Sequence, residues 1–492
     1  MSVPLHVVDG GDTSREPFRV GFTRTDTGNA ERFVARHGAA VRYLPAWRKW
    51  LLWDGRRWKI DETFEVHRMA KDTIRAIWSD IGQMHGDAKK DWVKHVMHSE
   101  ADSAIRAMLS RVMTEPGISI TPNDLDRDPW LIAVENGVLD LRTGELRAHD
   151  PALLMTKLVP APFDPEARCD RWESFLDRIM GGNKDLIQFL QKAVGYSLTG
   201  STGERCLLFL YGAGANGKST FLEILRALLA EYAQQADFTT FLERKGDGPR
   251  NDIARLFGAR VVTSSEVGEG KRLNESLVKT LTGNDTVTAR FLHAEFFEFT
   301  PTFKLWLAAN HRPVIRGTDN AIWGRVRLVP FTVAIPEEER DQDLKRKLLL
   351  ELPGVLAWAV AGCLLWLENG MAMPAAVADA TESYRRESDT LGAFIEDCCE
   401  LVPNNREVAT RAADLYAVYK RWAADGGEYE LSQTAFGRQF EERGIHAEKR
   451  GRDSNRVKWR VGIKLTVPVF TDSRSAAPAP AQDDEDDQGG MF

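Results

Sequence analysis

Cysteine is scarce in this chain and scattered. Its five residues, Cys169, Cys206, Cys363, Cys398 and Cys399, are odd in number and form no Cys-x-x-Cys pair. That spacing supports neither a zinc ribbon nor a disulfide framework, so reduced thiols in or near cores are expected. A long apolar run is missing as well. The most apolar helical stretch, Gly354 to Leu367, ends at Glu368; it is too short to cross a bilayer and reads as a buried helix, so no membrane partner is expected. The N-terminus lacks a basic segment followed by an apolar one, which leaves nothing to argue for export and points to the cytoplasm. The first 200 or so residues hold no cluster of zinc ligands and no convincing Asp-x-Asp pair at a strand end, the arrangement that two-metal nucleotidyl transfer requires.

What is present is an ordinary globular composition, 43% apolar and 28% charged over 492 residues, too long for one core and suited to several domains. The net charge of −7 is segregated. Five acids form one run, Asp483 to Asp487, whereas Arg438 to Lys464 holds nine Lys/Arg against four Asp/Glu, a pattern that suits a local contact with an anionic polymer better than a wholly basic surface would. Residues 1–30 read as a polar, flexible arm. Residues 31–200 read as a mixed but mainly helical domain. It holds one hairpin around Asp54-Gly55, between Trp50-Leu51-Leu52-Trp53 and Trp58, and another around Arg142-Thr143-Gly144. Residues 201–335 carry the chemistry, 336–388 a helical extension, and 389–466 three helices followed by two strands. An Ala/Pro/Ser linker and the acidic tail fill 467–492.

The strongest pattern lies at 205–229. Arg205-Cys206-Leu207-Leu208-Phe209-Leu210-Tyr211 suits a buried parallel strand. It enters Gly212-Ala213-Gly214-Ala215-Asn216-Gly217-Lys218-Ser219-Thr220, after which Phe221, Leu222, Leu225, Leu228 and Leu229 recur at helical spacing. This is Gly-x-x-x-x-Gly-Lys-Ser in the strand–loop–helix setting that the phosphate-binding loop requires. Glycines let backbone N–H groups curl around a β-phosphate, and the helix N-terminus adds its positive end. Lys218 is placed to reach the β/γ-phosphates and the Ser219 hydroxyl to ligate Mg²⁺, so ATP and Mg²⁺ are the expected cofactors.

Hydrolysis needs a carboxylate at the end of a neighbouring strand. Arg260-Val261-Val262-Thr263-Ser264-Ser265 is such a strand and ends in Glu266, with Glu269 in reserve. A third strand, Phe303 to Ala309, ends in Asn310, whose neutral amide can orient the lytic water without competing for Mg²⁺. Arg325, in Trp323-Gly324-Arg325-Val326-Arg327, is either a surface ion-pair partner or a group that stabilises transition-state charge from an adjoining subunit.

These motifs together resemble the ATPase core of superfamily 3 helicases, in particular the phage, plasmid and poxvirus primase–helicase branch. The resemblance rests on the loop itself, Ser265-Glu266, Lys279-x-x-Thr282-Gly283-x-Asp285, Arg290, Phe299-x-Pro301-Thr302-Phe303-Lys304, Asn310-His311-x-Pro313 and the Arg325 segment. With Trp50–Trp58 and Trp130–Asp140 before it and Pro336–Gly370 after it, it covers about 340 of the 492 residues. It implies an AAA+-like α/β motor with a parallel central sheet, and a ring, usually a hexamer, that moves on single-stranded DNA during replication. Glu266 would be the strand-end acid, Asn310 the γ-phosphate sensor and Arg325 the finger reaching a neighbour's ATP. Two departures matter: Ser265 stands where many relatives carry a second acid, and Gly324 where relatives often carry another arginine, which makes Arg327 the second finger candidate.

In this family the hairpin between the second and third motifs points into the ring channel, which nominates Arg290 and His293 here. Arg290 pairing with Glu295 or Glu298 is the alternative. Lys279 either lines the channel or is solvated. The 389–466 region looks like a winged helix, with Ser432 capping its third helix and Arg452 and Arg456 on a basic wing; a subunit-contact domain is the other reading. The acidic tail ending Met491-Phe492 reads as solvated, or as a peptide that docks on a separate primase or other replication factor. No primer synthesis by this chain alone is expected. The rival functions are a replication initiator or DNA-binding ring that uses ATP for assembly, and a remodelling ATPase acting on protein.

Overall fold

Amphipathic helices build the beginning of the chain. In the computed structural model, which describes residues 22–82, 84–244, 250–265, 271–291, 296–315, 317, 320–403, 405–426, 430–451 and 456–468, α1 (Asp26–His37) starts behind Thr25, whose hydroxyl accepts from Gly28 N. The helix thus begins inside the segment read as a polar arm, with Asn29, Ala30 and Phe33 buried. Three short antiparallel strands follow, β1 (Val41–Leu44), β2 (Lys49–Trp53) and β3 (Trp58–Ile60). The expected Asp54-Gly55 turn joins the last two, and the Asp54 carboxylate accepts from Arg56 N and Arg57 N at 2.9 Å each. Helices α2 (Glu65–Ile81), α3 (Gly86–Ser99) and α4 (Asp102–Val112) come next. On α2, Ala70, Ile74, Ile77 and Ile81 are buried at helical spacing and share a core with Phe33, Val96 and Met108.

A second antiparallel sheet, β4 (Leu131–Val134), β5 (Gly137–Asp140) and β6 (Glu145–Arg147), contains the other expected hairpin. Then α5 (Asp170–Ile179) and α6 (Lys184–Leu198) lead to the central sheet. That sheet is built from β7 (Leu207–Tyr211), β8 (Ala233–Gln235), β9 (Val261–Ser265), β12 (Lys304–Ala309) and β13 (Val326–Pro330), in the order β13-β7-β12-β9-β8, every pairing parallel. Its inner strands are apolar runs because helices cover the sheet. Between the strands lie α7 (Lys218–Leu229), α8 (Asn251–Ala254), α9 (Glu275–Thr282), the antiparallel hairpin β10 (Val287–Arg290) with β11 (Phe296–Phe299), and α10 (Asn320–Trp323). The order corrects one expectation. The strand that leads to Glu266, β9, is not the neighbour of the loop strand β7, because β12 is inserted between them.

After the sheet come α11 (Leu344–Leu349), α12 (Leu352–Asn369) and α13 (Ala375–Ser388). The apolar stretch expected to be short extends to the 18 residues of α12, long and apolar enough by length and composition to cross a membrane. Here it is spent in the core against α6. The two helices cross so closely that a Cβ on Gly195 would sit 2.1 Å from Cys363 N, and one on Gly362 would sit 2.1 Å from Gln191 O. Two buried cations tie the C-terminal end of α6 to the sheet. Arg260 donates to Leu198 O and Leu131 O at 2.6 Å each. Lys304 donates to Thr199 O, and to Ser201 O at 3.3 Å. Burial pushes the Lys304 amine well below its ordinary pKa, and the carbonyls at the helix end offset that cost.

The chain divides into two compact units, Met1–Thr381 and Glu382–Phe492. The second contains α14 (Thr390–Cys398), β14 (Cys399–Leu401), β15 (Ala409–Arg411), α15 (Ala412–Asp425), α16 (Gln433–Glu442), β16 (Ala447–Arg450), β17 (Val457–Val461) and β18 (Ile463–Leu465). Ser432 caps α16 through Ala435 N, as expected. The strands β15-β17-β16 form one antiparallel sheet and β14-β18 another. The three-residue strands β14, β15 and β18 were not read from sequence, being too short to show alternation.

Gly195→Ala tests the α6–α12 crossing. Overpacking against backbone is expected to cost about 3 kcal/mol or to prevent folding, read as the urea midpoint, whereas an unchanged midpoint would contradict the close approach.

Candidate functional site

The loop from Gly212 to Thr220 leaves β7 and turns directly into α7. Its shape requires glycine at two positions. A Cβ on Gly212 would lie 2.1 Å from Phe331 O, and one on Gly217, where φ is +84°, would lie 2.6 Å from Ile179 Cγ2. Ala213, Gly214, Ala215 and Ser219 are exposed, whereas Asn216 and Lys218 are buried. The loop therefore offers solvent its backbone and the Ser219 hydroxyl, and holds its cation underneath.

Lys218 is 6% exposed. Its Nζ donates to Gly212 O at 2.7 Å, Ala213 O at 3.1 Å, Asn216 Oδ1 at 2.9 Å and Asn310 Oδ1 at 3.2 Å. All four oxygens belong to neutral groups, and burial lowers the ammonium's pKa. A buried cation compensated only by neutral dipoles is poised for an incoming anion. Asn310 reaches Lys218 because β12 pairs with β7 in the register Ala309 to Tyr211, so the next residue emerges beside the loop. The structure thus brings Lys218 and Asn310, 92 residues apart in sequence, to one point.

A cleft of about 830 Å³ opens next to the loop, within the range that accommodates a nucleotide-sized molecule. Ala215, Gly217 and Thr220 form one side, Phe175 and Arg178 of α5 another. The segment from Ile335 to Lys347 closes a third. It is held in place by ion pairs from Glu339 to Arg178 (2.5 Å) and from Lys345 to Glu223 (3.0 Å). Sequence reasoning missed this cleft, because α5 and the 335–347 segment lie on opposite sides of the motif and carry no pattern of their own. The glycine cradle, the cation beneath it and the adjoining cleft fit a nucleoside triphosphate.

The remaining nominated residues are spread wider. Arg325, half-buried, donates from Nε to Thr282 Oγ1 at 3.2 Å and from Nη1 to Ala321 O at 2.5 Å. Arg327 Nη1 donates to Gly324 O at 2.7 Å. Lys279 is half-buried on α9. Arg290 ends β10 with its guanidinium 4.8 Å from the Phe296 ring centroid, while Glu298 stands opposite Thr288. The hairpin also shows what was not nominated. Phe291 and Phe296 are 42% and 58% exposed, Phe291 stacks on Phe297 at 5.4 Å, and Phe257 packs edge-on against Phe297 and Phe299 beneath them. Phenylalanine in an alternating strand reads as core, which hid these two. In the second unit Arg456 is exposed ahead of β17. Trp459 lies between the guanidinium groups of Arg411 (5.5 Å) and Arg450 (6.0 Å). Glu266, Glu269, His293, Arg452 and the acidic tail lie outside the described residues.

Two family models match the chain: "D5 N terminal like" over residues 30–181, and a family of unknown function, DUF5906, over residues 210–325. Over these residues the chain resembles the C-terminal portion of phage- and poxvirus-type primase–helicases. Among its relatives are a protein of Acanthamoeba polyphaga mimivirus named as helicase L207/L206 and one of African swine fever virus (strain Badajoz 1971 Vero-adapted) named as primase C962R. The first is 28% identical over 334 residues, covering 62% of this chain and 34% of the relative. The second is 26% identical over 329 residues, covering 59% and 34%. A Frog virus 3 (isolate Goorha) protein named as helicase 022R is 30% identical over 257 residues, 48% of this chain and 26% of the relative. The chain thus spans about a third of the length of these relatives or less. Among solved structures, the apo C-terminal region of NrS-1 shares the fold, with a TM-score of 0.50 at 9% identity, over 88% of this chain and 99% of that one.

Gly212→Ala is expected to weaken binding of a non-hydrolysable ATP analogue by on the order of tenfold or more. Calorimetric titration checks this, and unchanged affinity would contradict the requirement for a bare backbone there.

Proposed function

We propose that this chain is the motor of an ATP-dependent replicative DNA helicase that moves on single-stranded DNA as a ring. The observation that carries the reading is the Lys218 ammonium, buried under the glycine loop and shared with Asn310. The names of the mimivirus and Frog virus 3 relatives support the choice of helicase over other uses of a phosphate loop.

ATP supplies a cleavable anhydride and Mg²⁺ neutralises its charge. Lys218 and the loop N–H groups would hold the β/γ-phosphate oxygens, with Ser219 and Glu266 on the metal. Asn310, at the end of β12, would orient the attacking water through its amide. Arg325 would act on the site of an adjoining subunit, which requires leaving Thr282 Oγ1 and Ala321 O. The cleft beside Phe175 and Ile335 would take the nucleoside.

For DNA, the hairpin offers two kinds of contact. Arg290 would meet phosphate, while Phe291 and Phe296 would meet bases, whose faces stack on aromatics whatever the sequence. Helix α16 and the β16–β17 hairpin, with Lys449, Arg450 and Arg456, would form a winged helix that holds the forked substrate. Lys279 would add to the channel, and His293 and Arg452 would be further DNA contacts on the strength of the sequence alone. The acidic tail would engage a separate primase or other replication protein.

The purified protein should hydrolyse ATP faster with a single-stranded oligonucleotide and displace a strand from a forked duplex, and Lys218→Ala should lose both activities. Stimulated hydrolysis without displacement would favour an assembly or initiator role, and turnover indifferent to DNA would remove the helicase reading. A second test separates the two contacts. Phe291→Ala with Phe296→Ala should weaken single-strand binding by about tenfold or more with an unchanged salt slope, whereas Arg290→Ala should flatten the dependence of log K on log salt. A changed slope in the aromatic variant, or none in Arg290→Ala, would overturn that division.

A further inference from the structure

Position 216 is unconstrained in the Gly-x-x-x-x-Gly-Lys-Ser pattern, yet here its side chain is buried and engaged at both ends. Asn216 Nδ2 donates to Phe331 O at 2.9 Å, and Asn216 Oδ1 accepts from Lys218 Nζ at 2.9 Å. Phe331 follows β13 directly, and two backbone bonds stitch the same segment to the loop: Phe331 N to Tyr211 O at 2.7 Å, and Ile335 N to Ala215 O at 2.8 Å. From Ile335 the chain continues as the third wall of the cleft, up to Lys347. The contact has no slack, because a Cβ on Gly212 would meet both Phe331 O and, at 2.6 Å, Asn216 Nδ2.

We propose that Asn216 is a positioning residue that couples the Lys218 ammonium to the 331–347 wall, so that arrival of a triphosphate is transmitted to the segment enclosing the cleft. The proposal rests on the reading of the loop as an ATP site. An ammonium has three donors, and here they are distributed among four neutral oxygens. Phosphate oxygens outcompete neutral ones for those donors. When Lys218 turns to them, Asn216 Oδ1 is left buried without its donor, and a buried amide oxygen must find another. The amide is a rigid plane, so reorienting Oδ1 also withdraws Nδ2 from Phe331 O. The loop end of the wall is therefore released or re-formed in step with occupancy of the loop, and the wall responds to phosphate that it does not touch.

The test is hydrogen exchange of the full chain with and without Mg²⁺ and the non-hydrolysable analogue AMP-PNP, comparing wild type with Asn216→Ala and Asn216→Asp. Asn216→Asp keeps an oxygen for Lys218 and the shape of the side chain but cannot donate to Phe331 O, and it carries the test if Asn216→Ala does not fold. In wild type, exchange across 332–349 should change on adding the analogue. In both variants that change should fall by about fivefold or more at saturating analogue, and in Asn216→Ala kcat should fall about tenfold with KM within about threefold of wild type. A wall that responds in the variants as in wild type, or a kcat and KM that move together with thermal stability, would overturn the coupling. Saturable binding to wild type with no change at 332–349 would also overturn it while leaving the ATP site standing. Failure of wild type to bind the analogue would instead remove the reading on which it rests.

Discussion

A single buried ammonium organises the centre of this molecule. Lys218 is buried and donates to four neutral oxygens, so the loop around it offers carbonyl and amide dipoles to a cation. Those dipoles are brought to it by the close approach of the bare Gly212 backbone to Phe331 O, by the burial of Asn216 and by the β12–β7 register that places Asn310. The same arrangement leaves Ala213, Gly214, Ala215 and Ser219 exposed above the cation.

The rest of the first unit holds that arrangement in register. Parallel pairing of β12 with β7 places Asn310, and pairing of β13 with β7 places Phe331 against Tyr211. Beneath the sheet, Arg260 and Lys304 bind the carbonyls at the end of α6. Arg260 also takes Leu131 O, so the preceding domain is tied to the sheet by the same side chain. Helix α6 in turn carries α12 across the Gly195–Gly362 contact. The path from the phosphate loop to the flanking helices therefore runs through backbone contacts and buried cations, which tolerate little displacement.

Much of this was legible in the sequence because the relevant signals are local. A strand, a glycine loop and a helix in succession announce a phosphate site, and hairpins with Asp-Gly or Arg-Thr-Gly turns announce themselves. What stayed hidden is relational. Lys304 looked like part of a family motif and proves to be a buried structural cation, because nothing in its neighbours' identities reveals the carbonyls of α6. The order of strands is likewise invisible locally, and nothing in the sequence reveals that β12 separates β9 from β7. The aromatic face of the β10–β11 hairpin was masked by its alternation, which a core strand would share. The cleft needs α5 and the 335–347 segment together, and their separation in the chain conceals it.

The most direct test of the account is the affinity of the Mg²⁺ complex of AMP-PNP for wild type and for Lys218→Met, by calorimetry at fixed salt. Because the ammonium exchanges neutral partners for charged oxygens, Lys218→Met should bind on the order of a hundredfold more weakly. Equal affinities would contradict the central place given to this side chain.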